Sequence, residues 1–199
     1  MSVSFTKKTI VEILILMAGA AIATVGKQQD SPALLGLGVV VMGAGVIWGG
    51  VGAIRRRRLV FLHGEARFMT HRFTGGAAVL WGVLLVLTGL ALAAGGIGLA
   101  LGYREAIKGF VMQPGSWLIA GGIALCFTSA AALWQKAIDE AQGGLAILLA
   151  LPGYAFAAFG VLLGIGLAGT GLWGLQDAAR LTALGHTLQT AATSWLQSL

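Results

Sequence analysis

The chain has 199 residues, 57% of them hydrophobic and only 10% charged, with a mean hydropathy of +0.88. That balance excludes a soluble globular domain and marks an integral membrane protein. The net charge of +6 would suggest nucleic acid in a soluble chain, but most of the basic excess flanks apolar runs, so lipid headgroups are the nearer anions and no nucleic-acid partner is expected.

Crossing about 30 Å of hydrocarbon takes about 20 helical residues. Five runs approach or exceed that length, which predicts an all-α transmembrane bundle over residues 1–175 and an amphipathic helix over 176–199. The first run, near 9–25, lies between Lys7-Lys8 and Lys27 and is the shortest. Its two lysines, short apolar core and Ala21-Ile22-Ala23 resemble the parts of a secretory signal. Glu12 interrupts that core, so a retained span is expected; cleavage would leave four spans with unchanged orientation.

The second run, near 34–54, stops at four consecutive arginines, Arg55 to Arg58. The third, near 75–101, is long enough to require tilt or projection. The fourth, near 117–134, is bracketed by Trp117 and Trp134, as expected of side chains that settle at the membrane interface. The fifth, near 145–175, contains Pro152-Gly153, which predicts a kink or an interfacial first turn.

Glycine is abundant, with 32 residues, and falls mainly inside these runs. Gly45 and Gly49 on the second run, and Gly160, Gly164 and Ala168 on the fifth, recur every four residues and predict close helix packing within the protein or with a partner. GIGLAG at 164–169 matches the glycine pattern of dinucleotide-binding turns, but a membrane helix supplies neither the preceding strand nor the aqueous phosphate site. Packing is the better reading of these glycines.

Orientation follows from the lysines and arginines. With the N-terminus cytoplasmic, the inside carries Lys7, Lys8, Arg55, Arg56, Arg57, Arg58, Arg67, Arg72 and Lys136, against Lys27, Arg104, Lys108 and Arg180 outside. The expectation is an N-in, C-out protein of the bacterial inner membrane. In the basic loop 55–74, Arg55 to Arg58 with Arg67 and Arg72 form a patch for anionic headgroups, worth about 1 kcal/mol per residue close to an anionic surface. Residues 59–62 and 67–69 predict either a short hairpin around His63-Gly64 or a surface helix.

The far half of the loop, with His63, Glu65, Phe68 and His71, is the largest cytoplasmic surface and the first candidate for partner contact. HGE at 63–65 matches the first half of a zinc-deaminase signature, whose second half needs a PCxxC element that the single Cys126 cannot supply. Neither HExxH nor GxSxG occurs, and no span has an interior histidine for haem. No metal or cofactor is expected.

Within the spans only Glu12 is ionisable, at a shallow depth where its carboxylate could meet headgroups or Lys8. Hydroxyls such as Thr88, Thr128, Ser129 and Thr170 can bond to their own helix backbone. In the tail, Leu181, Leu184, Leu188, Ala192, Trp195 and Leu199 recur at steps of three and four and form one apolar stripe, to lie flat on the outer membrane surface or to dock on a partner; the lack of a basic face favours docking.

Together these features predict a non-catalytic accessory or structural subunit of a larger inner-membrane assembly, in contact with other membrane subunits and anionic lipids. A small transporter or oligomeric channel using Glu12 and the Pro152 break is the alternative. An interfacial lipid enzyme using His63, Glu65, Arg67 and His71 is third.

Overall fold

The structure, a computed structural model, describes residues 7–60, 72–139 and 144–177 and the single positions 183, 187 and 190. Its elements in chain order are α1 (Lys7–Gln28), α2 (Pro32–Arg56), β1 (Arg58–Val60), β2 (Arg72–Thr74), α3 (Gly75–Ala100), α4 (Arg104–Met112), α5 (Pro114–Asp139) and α6 (Gly144–Gln176). Five stretches are long and apolar enough to cross a membrane: Ile10–Gln28, Pro32–Arg56, Gly75–Ala100, Pro114–Trp134 and Pro152–Gln176. The chain therefore has the build of a multi-pass integral membrane protein.

Local chemistry sets the element ends. Ser31 is extended and caps α2 by accepting the Leu34 N–H at 3.4 Å, with Pro32 in the first turn where its missing N–H costs nothing. At the other end of α2, Arg57 is left-handed, with φ 49 and ψ 33. Between α3 and α4 the chain turns at Gly102, whose φ of 86 suits a residue without Cβ. α4 was not anticipated, because at nine residues it is too short to register as a span. It lies between the end of α3 and the start of α5, with Ile107 against Gly98 and the Phe110 carbonyl accepting the Ser116 hydroxyl at 2.5 Å. The fourth span begins at Pro114 rather than Trp117, and α6 continues without a break through Pro152.

The helices meet through glycine. Gly36, Gly43 and Gly50 on α2 stand opposite Gly96, Gly89 and Gly82 on α3. A methyl group added at Gly43 would lie 2.7 Å from the Gly89 carbonyl oxygen, and one at Gly50 would lie 2.7 Å from that of Gly82. The backbones are thus in contact at every seventh residue, the spacing of helices that run side by side with a slight left-handed twist. The α5–α6 pair repeats the device: Gly115 faces Gly171 and Gly122 faces Gly164, each within 2.7 Å of the opposite carbonyl once a methyl is added. Ser129, seven residues beyond Gly122, takes the next position and packs on Gly160. The Cys126 thiol donates across this seam to the Val161 carbonyl at 3.4 Å.

α1 uses a second face of α2. There Gly19 and Gly38 are mutually close, and Gly45 faces Ile15 and Leu16. Gly160, Gly164 and Ala168 lie along the α5 contact and Gly45 along the α1 contact, while a methyl at Gly49 would meet nothing within 4 Å among the described residues.

Among the described residues, α1 packs on α2, α2 on α3, α3 on α5 and α5 on α6, and no other pair of these five helices shares more than an isolated contact. They form an open row. Its two halves join where Gly76 lies under the Trp134 ring, at the level of the deeply buried Ala77, Ala78 and Ala131. Because neighbours alternate in direction, Lys7 and the arginines lie at one end and Gln176 at the other. Trp48 and Trp134 are exposed at the arginine end, and Trp117 and Trp173 at the opposite end, as two interfacial belts require.

Thr24, Thr88, Thr128 and Thr170 donate to carbonyls three or four residues earlier in their own helices, at 2.8–3.1 Å. These hydroxyls are satisfied without a ligand. In the tail, the described Thr187 and Thr190 donate in the same way to Ala183 and Thr187, each at 2.9 Å; Leu181, Leu184, Leu188, Ala192, Trp195 and Leu199 lie outside the described residues.

Gly43→Ala should destabilise the protein by about 1–3 kcal/mol, as overpacking against backbone does. Gly49→Ala should lie within about 1 kcal/mol of wild type or be more stable, since alanine favours helix and meets open space there. Reversible unfolding in detergent checks the contrast, and equal effects would refute the seven-residue seam.

Candidate functional site

The last two turns of α2 carry the most distinctive surface chemistry. Trp48, Val51, Gly52, Arg55 and Arg56 line an open groove of about 280 Å³. Steps of three and four place Trp48, Val51, Gly52 and Arg55 on one side of the helix, away from the face on which Gly50 meets α3. Gly52, which has no side chain of its own, lies between the indole ring and the guanidinium groups in the lining. Trp48 is 60% exposed and both arginines are exposed. Among the described residues neither arginine forms an ion pair.

The run of four arginines is divided by backbone geometry. Arg55 and Arg56 belong to the last turn of α2, Arg57 is the left-handed cap, and Arg58 opens β1. The cap turns the chain into an antiparallel ladder in which Arg58 pairs with Thr74, Leu59 with Phe73 and Val60 with Arg72. The Gly75 N–H closes its base on the Arg57 carbonyl at 2.9 Å. A hairpin from residues 59–62 and 67–69 was one of the two expected forms; residues 58–60 pair with 72–74, and residues 61–71 lie outside the described residues.

The reason lies in the helices. Equal lengths of chain separate Gly50 from Arg58 and Thr74 from Gly82, so the α2–α3 register passes directly into the ladder. The Phe73 ring rests against Trp81 of α3, with centroids 5.6 Å apart at 46°, and holds the ribbon to the helix. Such a pair contributes about 0.5–1.5 kcal/mol beyond its burial.

His63, Glu65, Arg67, Phe68 and His71 lie outside the described residues. Arg72 is placed by its backbone in β2. No group of three or more His, Cys, Asp or Glu side chains suited to a metal occurs among the described residues. Glu12 is half-buried on α1, one turn closer to the arginine end than Ile15 and Leu16.

At the opposite end, Lys27, Asp30, Ser31 and Arg104 border a recess of about 30 Å³. That is room for about one water molecule, so it is too small for a ligand of any size. The groove beside Trp48 is about ten times larger and is the better candidate. Sequence reasoning had the arginines but not Trp48 or Gly52; the signal was their spacing of three and four residues ahead of Arg55.

No protein-family model, curated protein or solved structure matches the chain.

With Cys126 replaced by serine, the pair Leu59→Cys and Phe73→Cys should form an intramolecular disulfide on mild oxidation, since directly opposed strand residues are within bridging reach. The pair Leu59→Cys and Gly75→Cys should not. Gel mobility under non-reducing conditions after cleavage between the positions reads the result.

Proposed function

We propose that this protein is a non-catalytic structural subunit of a larger inner-membrane assembly, oriented N-in and C-out, with its arginine end at the cytoplasmic headgroup layer. The observation that carries the reading is the open row. Among the described residues each terminal helix has one packed neighbour, α1 on α2 and α6 on α5, which leaves broad apolar flanks. α6 presents Phe156, Phe159, Leu162 and Ile165 outward, each at least 60% exposed. A row of this kind can lie along a partner without giving up its own contacts, because its glycine seams are already closed within the chain.

The orientation rests on charge. Lys7, Lys8, Arg55 to Arg58, Arg72 and Lys136 belong to one end of the row, against Lys27, Arg104 and Lys108 at the other. The positive-inside rule then favours a cytoplasmic arginine end. The same residues favour anionic lipid as the nearest counter-charge. A transport pathway is a weaker reading, since among the described residues α1 and α6 form no packed pair and a conduit would have to form between copies.

Purification in mild detergent followed by mass spectrometry should recover other membrane proteins with the chain; a lone monomer would refute the subunit reading. Ala183→Cys, in the Cys126→Ser background, should react with an impermeant reagent applied to intact cells. Reaction only after permeabilisation would reverse the orientation.

A further inference from the structure

We infer that the groove formed by Trp48, Gly52, Arg55 and Arg56 is a discrete binding site for one anionic phospholipid. The inference rests on the proposed headgroup contact of the arginine end, and gives that contact a ligand and a place. Three observations converge. The groove holds two guanidinium groups without ion pairs among the described residues. Guanidinium groups are planar donors suited to paired hydrogen bonds with phosphate oxygens, and they bind phosphate more selectively than a point charge does. The volume of about 280 Å³ is several times the roughly 30 Å³ share of one water, which leaves space for a phosphate with a small polar substituent.

The groove is also amphipathic along the helix. Arg55 and Arg56 end the apolar span, while Trp48, Ala44 and Leu37 continue from it toward the membrane interior on the exposed side of α2. A lipid whose phosphate sits at the arginines lays an acyl chain along this side and sets the indole ring at the ester level, where tryptophan prefers to reside. A free anion would use only the polar half of the groove. Arg57 and Arg58 take a different part: as helix cap and first strand residue they add to the general positive field but do not line the hollow.

The division of the arginine run makes the site testable. The full-length chain in neutral detergent is titrated with dioctanoyl phosphatidylglycerol, dioctanoyl phosphatidylcholine or inorganic phosphate, and bound molecules are counted by native mass spectrometry. Wild type should retain one phosphatidylglycerol in preference to the other two. R55Q/R56Q should weaken that binding by about tenfold or more, as loss of a paired charge-assisted contact does, and the charge-matched R57Q/R58Q by less than about threefold, as a change in the surrounding field does. R55K/R56K, which keeps the charge but not the planar fork, should fall between them.

Equal losses from the two glutamine pairs would overturn the groove and leave a diffuse patch. Inorganic phosphate bound as tightly as the lipid would overturn the assignment to a phospholipid. No preference for phosphatidylglycerol in wild type would refute the headgroup contact itself. Unchanged unfolding midpoints in the arginine variants, all altered at exposed positions, confirm that binding and not folding is being read.

Discussion

The two tightest helix pairs of this fold depend on backbone meeting backbone at glycines spaced seven residues apart. In lipid, apolar side chains gain little by leaving one hydrocarbon environment for another, so helices associate through close packing rather than through hydrophobic burial. A glycine facing a glycine allows that approach. The α2–α3 and α5–α6 seams both use it, with added methyl groups meeting the opposite backbone within 3 Å at each glycine pair. Large side chains are correspondingly turned outward, where they meet lipid or a partner. The usual relation of a soluble protein, with large apolar side chains inside, is reversed: among the described residues the buried side chains are alanines and the large ones face outward.

The seam does more than hold helices. Its register is carried past the helix ends into the ribbon, which is why Arg58 meets Thr74 although more than a dozen residues separate them. The left-handed Arg57 then removes the last two arginines from the helix and leaves Arg55 and Arg56 beside Trp48. Packing at glycine thereby determines which cations share a hollow. The proposed lipid contact follows from backbone geometry as much as from charge.

The five spans were legible in the sequence because each depends on one robust quantity, an apolar run of membrane length. The finer features were not. Where glycine is so frequent, spacings of four and seven both occur by chance, and only the matching glycine on the partner helix separates Gly43, which has one, from Gly49, which does not. A pattern search along one helix cannot see that partner. The ribbon register was hidden for the same reason, being set by helices rather than by its own turn. α4 escaped because a nine-residue helix between spans has no length signature, and the groove escaped because a run of four arginines gives no hint that its third member adopts a left-handed backbone.

Helices paired through glycine seams form an open row among the described residues, with the first and last spans at its two ends. Spin labels at Leu14 on α1 and Leu162 on α6, both exposed, allow the separation to be measured by pulsed electron resonance in lipid nanodiscs. With three spans between them at interaxial distances of about 8–10 Å, the row predicts a label separation above about 20 Å. A separation near 10 Å, that of helices in direct contact, would show a closed ring and contradict the account.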